Sequence, residues 1–483
     1  MKPDLDLAVL GGGTAGLTAA VLAAELGARV ALVERDRTGG DCLWTGCVPS
    51  KSLIASAGLA HRMRHADHVG LTPVDPDVDL AAVLDRVRAV QAHIEPHDSA
   101  ERLTSLGVEV IADSARFLAP RRLALAASGR VLTARAVLVA TGSAPLLPPI
   151  EGLADADPLT TDTIWATTTL PPRLVVLGGG PVGCELGQAF ARLGSQVTIV
   201  EQAERLLPSE DPAVGQLLAD RFAEEGVAVH TSSPAVAVTR DASGVRLELA
   251  TPDGAVTVEG DELLVALGRR PRTAGLDLAC AGVRTGRHGA VNVDRRLRTS
   301  AGGVYAAGDV TAELPFTHVA AYQAGVATLN ALLGLRRSVS YRAVPYVVFT
   351  DPEVAHVGLH EHRARARWGA RVVVARHDYR DVDRALTAAT PYGFATLVGD
   401  PKGRLVGATV AAPAAGEVIG ELAALVARRA GVGDVFKTVH PYPTFALGAA
   451  TAGAAHLRRR FLTDRTRRVV RPLLGARRAV TRA

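Results

Sequence analysis

Short apolar runs, glycine-rich turns and Ala/Leu-rich segments alternate from the N-terminus to about Arg270. One such stretch, Val9–Gly16 (VLGGGTAG), returns further along the chain as Val176–Gly183 (VLGGGPVG). An apolar run that ends in an acid, Val30–Glu34, returns at the same offset as Val197–Glu201. Uninterrupted apolar runs are typical of buried parallel strands, and the segments between them predict helices. Each copy therefore predicts a β-α-β unit.

The pattern changes after Arg270. Two apolar runs resemble closing strands for the two units, Leu138–Gly142 and Leu264–Gly268, and Tyr305–Asp309 predicts another strand that ends in an acid. Between Tyr341 and about His456, short β-rich runs precede a helix-like stretch: Tyr346–Phe349, Arg371–Ala375, Phe394–Val398, Leu405–Val410 and then Gly416–Arg429. This mixture predicts an α+β domain.

The fold class predicted is α/β, with two Rossmann-like dinucleotide-binding domains and a C-terminal α+β domain. Proline and glycine clusters mark the boundaries, at Pro145–Gly152 and at Pro171–Pro172. The predicted domains are 1–150 and 273–340 for the two parts of the first dinucleotide-binding domain, 151–272 for the second, 341–456 for the α+β domain and 457–483 for a basic tail.

The repeated turns carry the GxGxxG spacing that binds a pyrophosphate. The first glycine makes a tight turn, the second lets the backbone approach the phosphates, and the third lets helix and strand pack closely. An acid at the end of the second strand is placed to accept hydrogen bonds from a ribose. One such motif occurs by chance in glycine-rich chains, but two copies at identical spacing predict two dinucleotide sites: Gly11, Gly13, Gly16 with Glu34, and Gly178, Gly180, Gly183 with Glu201.

Composition excludes several classes of protein. Apolar residues make up 48% and charged residues 21% of the 483 residues, which predicts large buried cores. No uncharged apolar stretch has the length that a membrane-spanning helix needs, and the N-terminus lacks a secretory signal pattern. Four cysteines are too few for a disulfide-stapled secreted protein. A cytoplasmic protein is therefore predicted.

The net charge of +5 is concentrated in the tail, where ten arginines and one acid lie between Arg458 and Arg482. The rest of the chain is mildly acidic, so a nucleic-acid groove is not expected. Apolar residues from Leu457 to Leu474 fall only loosely on one helical face, and Pro472 interrupts them. We expect a solvated, partly frayed tail; the alternative is weak contact with an anionic membrane surface.

Two cysteines follow the first repeat, in the segment Gly39–Lys51 (GGDCLWTGCVPSK). Cys184 and Cys280 do not complete a zinc-ligand spacing, so no metal site is predicted. A structural disulfide is unexpected in the cytoplasm, which favours a redox pair over two unreactive buried thiols. We expect a loop that enters a helix near Pro49, so that Cys47 lies at a helix N-terminus where its thiolate is stabilised.

With these motifs the sequence resembles the pyridine nucleotide–disulfide oxidoreductases, the flavoprotein family of dihydrolipoamide dehydrogenase, glutathione reductase and mercuric reductase. The resemblance extends from about Leu5 to Thr444. Beyond the two glycine motifs and the Cys42–Cys47 segment, it rests on Ala140–Gly142, Glu185, Ala266–Arg269, Ala307–Asp309, His318–Ala320 and Phe349–Gly358, the last of which opens the family's dimerisation domain.

The resemblance implies FAD in the first dinucleotide site, a nicotinamide nucleotide in the second, and a homodimer. Lys51 would approach the flavin and pair with Glu185. Cys47 would lie against the flavin as a thiolate, and Cys42 would meet the substrate. The remaining implied cofactor-binding residues are Gly40, Ala140, Thr141, Gly142, Gly268, Gly308, Asp309, His318 and Ala320.

Glu201 favours NADH over NADPH because a carboxylate repels the 2′-phosphate of NADP, although Arg205 lies close behind it in the sequence and could meet a phosphate.

The sequence departs from the family at its catalytic acid–base pair. Tyr442 occupies the place of the family's His, and Leu447 occupies that of its Glu. A phenol is a poor proton shuttle at neutral pH, and His440 is the alternative catalytic group. The Tyr resembles mercuric reductase, but no cysteine follows Cys280, so efficient mercuric reduction and lipoamide turnover are both unexpected. Trp44 also departs from the family's usual Asn and could restrict access to the pair.

The predicted function is an FAD-dependent NAD(P)H oxidoreductase that reduces an external disulfide, metal ion or small oxidant through Cys42–Cys47. One alternative is a quinone-type reductase that does not need the disulfide. Another is a redox-sensing flavoprotein with a binding tail.

Overall fold

The structure, a computed structural model, describes residues 3–480; Arg482 of the basic tail lies outside the described residues. The chain divides into two compact units. The first unit comprises the chain up to His65, Val74–Leu206 and Phe222–Ser340. The second unit comprises Ala66–Pro73, Leu207–Arg221 and the chain from Tyr341 onwards.

The elements follow in chain order. Up to Pro145 they are β1 (Leu5–Leu10), α1 (Thr14–Glu25), β2 (Val30–Glu34), α2 (Gly40–Trp44), α3 (Cys47–Arg64), α4 (Leu80–Ile94), α5 (Ala100–Ser105), β3 (Val108–Ala112), β4 (Ala115–Ala119), β5 (Arg122–Leu125), β6 (Val131–Val139) and β7 (Ser143–Pro145). From there to Ser340 they are β8 (Arg173–Leu177), α6 (Pro181–Leu193), β9 (Gln196–Val200), α7 (Pro212–Glu224), β10 (Ala228–His230), β11 (Ala235–Asp241), β12 (Gly244–Thr251), β13 (Gly254–Gly260), β14 (Glu262–Val265), β15 (Arg269–Pro271), β16 (Val304–Ala306) and α8 (Thr317–Leu333). The rest are β17 (Pro345–Val348), β18 (Glu353–Gly358), α9 (Glu361–Trp368), β19 (Val373–Asp378), α10 (Asp383–Thr387), β20 (Phe394–Gly399), β21 (Leu405–Ala412), α11 (Ala415–Ala427), α12 (Asp434–Lys437), α13 (Leu447–Phe461) and α14 (Asp464–Val480).

A seven-stranded sheet forms the first dinucleotide-binding fold. Its order is β3-β2-β1-β6-β5-β4, and β16 also pairs with β6. The central pairs β2–β1, β1–β6 and β16–β6 are parallel. Their apolar side chains are buried on both faces, which explains why Leu7–Leu10 of β1 and Val30–Val33 of β2 appear in the sequence as uninterrupted apolar runs.

A second parallel sheet, of order β10-β9-β8-β14, repeats the β-α-β unit. Val9 lies opposite Leu32 in the first sheet, and Val176 lies opposite Ile199 in the second, so the sequence repeat is kept in the strand register. The antiparallel sheet β11-β12-β13 packs into the same core, through residues such as Leu247.

The second unit contains a five-stranded antiparallel sheet of order β17-β18-β21-β20-β19. Helices α11 and α13 share a hydrophobic core with it, for example through Leu422, Ala452 and Leu397. Four strands and the helix match the β-rich runs and the helical stretch expected from the sequence, with ends that differ only slightly. Strand β18 was missed, because Glu353–Gly358 was considered only as a family motif.

Helix α13 ends at Phe461, and most of the basic tail that follows forms helix α14, which continues through Pro472. The expectation of a partly frayed tail is therefore wrong for Asp464–Val480. Proline removes one backbone hydrogen bond, and the leucine, arginine and alanine residues around it favour the helix enough for it to continue. The expected solvation is observed, with the side chains of Val469 and Leu473 60% and 62% exposed. Among the described residues, no helix combines the length and apolar character needed to cross a membrane.

Candidate active site at the Cys42–Cys47 pair

Both glycine-rich turns have backbone conformations that exclude other residues. Gly11 has a φ of +105°, and a Cβ there would lie 2.4 Å from the carbonyl oxygen of Ala140. Gly178 has a φ of +118° and would clash in the same way with Ala266. A Cβ on the third glycine of either motif would lie 1.8 Å from the first glycine's carbonyl oxygen. The first and third glycines therefore have the structural roles that the sequence predicted.

The middle glycines have no such packing reason. Among the described atoms, a Cβ on Gly180 would have no neighbour within 4 Å, and one on Gly13 would only touch Gly40, at 3.7 Å. Both glycines are N-caps, of α6 and α1, and neither helix start has a side-chain cap. The open space and the unpaired amides fit a pyrophosphate, which supplies the missing acceptors.

The acids that follow the second strands occupy equivalent places. Glu34 accepts hydrogen bonds from the backbone amides of Gly12 (2.6 Å) and Asp36 (2.9 Å). Glu201 accepts from Gly179 (2.7 Å) and Ala203 (2.7 Å). Each carboxylate is thus fixed beside its glycine turn, and each oxygen keeps a further lone pair for a ribose hydroxyl.

Cys42 and Cys47 belong to two successive helices. Cys42 lies in the short helix α2, whereas the sequence predicted a loop, and Cys47 is the first residue of α3, as predicted. The amide of Gly46 donates to the carbonyl of Asp41 at 2.6 Å, which folds the chain back so that the two thiols meet. From α4, Gln91 donates to the last carbonyls of α2 at 3.0 and 2.9 Å.

The two thiols have opposite electrostatic environments. Both are free in the structure, with Cys47 exposed and Cys42 half-buried. The pKa of Cys47 is lowered to about 6, mainly by a hydrogen bond from Cys42 and also by Thr317 and the Lys51 ammonium, against the opposing effect of partial desolvation of the sulfur by its neighbours. The same hydrogen bond, with burial, raises the pKa of Cys42. Cys47 is therefore the thiolate and Cys42 the thiol at neutral pH.

Thr317, at the start of α8, lies 3.2 Å from the Cys47 sulfur through its hydroxyl oxygen. The sequence analysis missed this residue, although it directly precedes the His318–Ala320 motif. Its side chain is a hydroxyl donor that stabilises a thiolate. Only folding brings it to the cysteine pair, from 270 positions away in the chain.

Lys51 and Glu185 form the predicted ion pair, with 2.7 Å between Nζ and Oε2. Glu185 is 8% exposed and Lys51 35% exposed. The pair connects α3, which carries Cys47, to α6, which follows the second glycine turn.

The remaining predicted cofactor residues surround the first glycine turn and its neighbours. The carboxylate of Asp309 accepts from the Ser143 hydroxyl at 2.8 Å, and this hydroxyl accepts from Arg269 at 2.8 Å. Arg269 also lies 3.1 Å from Asp41, beside Cys42. The others lie on adjoining segments: Gly40 against Gly13; Ala140, Thr141 and Gly142 after β6; Gly268 before β15; Gly308 after β16; His318 and Ala320 in α8.

Trp44 is held by the neighbouring loop. Its indole nitrogen donates to the carbonyl of Thr38 at 2.7 Å, and the Arg37 guanidinium lies 3.7 Å from the ring centroid. These contacts give the tryptophan a local packing role. That Trp44 restricts access of a substrate to Cys42 and Cys47 stays a prediction.

The predicted acid–base residues lie in the second unit. The Tyr442 hydroxyl donates to Asp383 at 2.6 Å, and this hydrogen bond raises the pKa of Tyr442 above its ordinary value. His440 lies 2.8 Å from the carbonyl of Thr438 through Nδ1 and 2.9 Å from Glu421 through Nε2. Both ring nitrogens of His440 are therefore engaged, so neither is open to a substrate.

Comparison with known proteins identifies the family. Residues 5–325 match the model of the pyridine nucleotide-disulphide oxidoreductases, and residues 344–452 match the dimerisation domain of the same family. The chain belongs to the pyridine nucleotide–disulfide oxidoreductases. It is an FAD-dependent enzyme of this family, as the sequence predicted.

Relatives within the family have different names. A mercuric reductase from Streptomyces lividans is 38% identical over 91% of this chain and 94% of its own length. A dihydrolipoyl dehydrogenase from Thermus scotoductus is 37% identical over 93% of this chain and 97% of its own.

Solved structures of the family have the same fold. LpdA from Mycobacterium tuberculosis superimposes with a TM-score of 0.84 at 34% identity, over 93% of this chain and 99% of that one. The Cu(II) complex of the flavoprotein disulfide reductase RclA from Escherichia coli gives 0.82 at 27% identity, over 92% and 99%. The fold class, a pair of dinucleotide-binding domains with a dimerisation domain, is therefore confirmed.

Proposed function

We propose that this oxidoreductase transfers electron pairs from a nicotinamide nucleotide through Cys42–Cys47 to a small oxidant or a metal ion. The observation that carries the proposal is the Cys47 thiolate at the start of α3, in contact with Cys42 and Thr317. The glycine turn before α1 and the carboxylate of Glu34 would hold FAD. FAD, when bound, supplies a two-electron carrier between the nicotinamide and the cysteines.

The two sulfurs have different roles, which the neighbouring residues set. Cys47 holds the negative charge, stabilised by Thr317 and by the nearby Lys51. Cys42 keeps its proton and is the sulfur assigned to the acceptor. Lys51 is kept in position by Glu185, which is buried and therefore a rigid partner. Oxidation of the dithiol to the disulfide releases two electrons, and the thiol proton goes to solvent.

The class of acceptor follows from the proton donors that Tyr442 and His440 could provide. Reduction of a disulfide produces a leaving thiolate that needs a proton donor. Tyr442 holds its proton tightly, and both nitrogens of His440 are engaged. An acceptor that takes electrons without a proton from the protein fits this arrangement better than lipoamide does. The structure of RclA with Cu(II) supports including metal ions in this class, whereas efficient reduction of Hg(II) stays unexpected.

Four further expectations belong to this proposal. We propose NADH as the preferred nucleotide and a homodimer formed through residues 344–452, which match the family's dimerisation domain. A cytoplasmic location stays a prediction. Weak contact of the basic tail with an anionic membrane also stays a prediction. Sedimentation of the protein with phosphatidylserine vesicles would test it.

The proposal is tested by anaerobic reduction with NADH followed by a panel of acceptors that contains Cu(II), Hg(II), a quinone and lipoamide. Cys42→Ser should lose at least about tenfold in turnover with the metal ions, because the sulfur assigned to the acceptor is gone and the Cys42–Cys47 disulfide can no longer form. Cys280→Ser is the matched control, since Cys280 is an exposed cysteine outside the pair. Full metal-ion turnover by Cys42→Ser would contradict the proposal, and turnover with the quinone alone would favour the quinone reductase.

We predict a long-wavelength charge-transfer absorbance after two-electron reduction, because the Cys47 thiolate is assigned to the flavin face. Cys47→Ser should abolish this band and leave FAD bound. The band should be present above a pH of about 6 and fade below it, as the thiolate takes up a proton. Thr317→Val should move the midpoint to higher pH, because it removes a hydrogen bond to the thiolate. A band that survives in Cys47→Ser would show that the sulfur assignment is wrong.

A further inference from the structure

A buried polar cluster lies in the second unit, where the segment before α7 packs against β17, β18 and the start of α9. Glu210 is 2% exposed, His356 is 1% and His360 is 6%. One ligand atom from each of these three residues lies within 4.8 Å of the others. None of them belongs to the cysteine site or to the two glycine turns.

The tautomer of His360 follows from its hydrogen bonds. The Tyr346 hydroxyl donates to Oε1 of Glu210, and its oxygen lies 3.1 Å from Nε2 of His360. A phenol has a single proton, so when that proton goes to Glu210, Nε2 of His360 must be the donor to the phenol oxygen. In the neutral form of the ring, the other nitrogen, Nδ1, then carries a lone pair.

That lone pair faces two carboxylate oxygens. Nδ1 of His360 lies 3.7 Å from Oε2 of Glu210 and 3.8 Å from Oδ2 of Asp211. These distances are too long for hydrogen bonds. Within the described part of the chain, Nδ1 of His360 and Oε2 of Glu210 are both buried atoms with no hydrogen-bond partner. Buried polar atoms are rarely left unpaired. A positive charge between His360 Nδ1 and Glu210 Oε2 would satisfy both of them.

We propose that His360 Nδ1, Glu210 Oε2 and Asp211 Oδ2 bind a divalent cation of the Zn²⁺ class. Zinc bonds of about 2.0–2.2 Å place tetrahedral ligands about 3.4 Å apart, so the separations of 3.7 and 3.8 Å from His360 Nδ1 to the two carboxylate oxygens need to close by only a few tenths of an ångström. Imidazole and carboxylate ligands without sulfur suit Zn²⁺. Asp211 and His362 reach solvent, which gives the ion an entry path and a water for the fourth position.

The surroundings match the outer shell of a metal site. The ring of His356 stacks on His360, with 3.6 Å between centroids, and is itself held by Thr409 (2.9 Å) and Gly358 (3.1 Å). Tyr346 orients both Glu210 and His360, as outer partners of zinc ligands commonly do. Burial raises the pKa of Glu210, and a bound dication would keep this carboxyl ionised.

The cation would cross-link segments that are far apart in the chain. Glu210 and Asp211 directly precede α7, and His360 follows β18, so the ion would tie the segment Leu207–Arg221 to the sheet of the second unit. We therefore expect the site to be structural. Its removal should lower the melting temperature and leave the FAD spectrum unchanged.

The test is zinc binding to the FAD-loaded full chain in its oxidised state, after dialysis against a chelator. The disulfide form keeps Cys42 and Cys47 from competing for the metal. We expect about one zinc per chain, with oxygen and nitrogen ligands and no sulfur in the X-ray absorption spectrum, and a higher melting temperature with zinc. No binding at micromolar zinc, or ligation by sulfur, would overturn the proposal.

Variants locate the site. His360→Gln should lower zinc affinity at least about tenfold, and Tyr346→Phe, which changes only an outer partner, about 10–100-fold. His377→Gln is the matched control, because this histidine lies in the same unit on β19, outside the cluster. If His360→Gln does not fold, the zinc affinity of Tyr346→Phe still tests the site. Wild-type zinc affinity in both Tyr346→Phe and Asp211→Asn would refute the site.

Discussion

Turnover with lipoamide or glutathione disulfide is expected to be about 10²–10⁴-fold slower than in a family member that has the His–Glu pair, the usual contribution of general acid–base catalysis. Tyr442 stands at the position of that His, and its hydrogen bond to Asp383 raises its pKa further above neutrality. Leu447, at the position of the Glu, has no ionisable group. The leaving thiolate of the substrate would therefore lack a donor of suitable pKa.

The measurement compares stopped-flow reduction by NADH with steady-state turnover on each disulfide. Reduction of the cysteine pair does not use Tyr442, so it should stay fast while disulfide turnover is slow. Tyr442→His combined with Leu447→Glu should raise disulfide turnover, and Tyr442→Phe is the control that should change little. Fast wild-type turnover would show that His440 or another group is the acid. No gain in the double variant would point to substrate access, for example at Trp44.

NADH is expected to be preferred over NADPH in kcat/KM by about tenfold to a hundredfold, the ratio that corresponds to about 1–3 kcal/mol for a close like-charge contact at a surface-like dielectric. Glu201 is 7% exposed, and both of its oxygens are fixed by backbone amides of Gly179 and Ala203. Its charge cannot swing away from a 2′-phosphate, so NADPH would meet the full repulsion.

Steady-state kinetics with both nucleotides checks this preference. Glu201→Gln removes the charge but keeps an acceptor oxygen, so the NADH:NADPH ratio should fall at least about tenfold. Glu204→Gln is the matched control, because Glu204 is an exposed acid shortly after Glu201 in the chain. Equal use of the two nucleotides by the wild type would show that Arg205 or another cation sets the preference.

The cysteine site shows how far sequence reasoning extends. Cys47 was expected at a helix N-terminus, and it is the first residue of α3. The partner of Lys51, Glu185, was also named correctly, although it lies 134 positions away, because the family resemblance supplied the pairing. Thr317 was missed, since neither its residue type nor its local spacing indicates that its hydroxyl would reach a sulfur 270 positions away.

The helices and strands also differ in how well the sequence predicted them. Strand β2 has the predicted bounds, Val30–Glu34, because its uninterrupted apolar run is a local signal. The tail was expected to be partly frayed, but α14 continues through Pro472. Local patterns identified the elements well and their ends less well.

By itself, the sequence determined the two dinucleotide-binding units, the positions of their glycines and acids, and the redox cysteine pair. All of these depend on residues close together in the chain, where spacing translates directly into geometry. Only the tertiary structure decided that the Thr317 hydroxyl reaches the Cys47 sulfur, which groups occupy both nitrogens of His440, and that Glu210 and Asp211 lie beside His360. Those properties depend on burial and on contacts between distant segments, and a pKa or a ligand set exists only once the chain has brought these groups together.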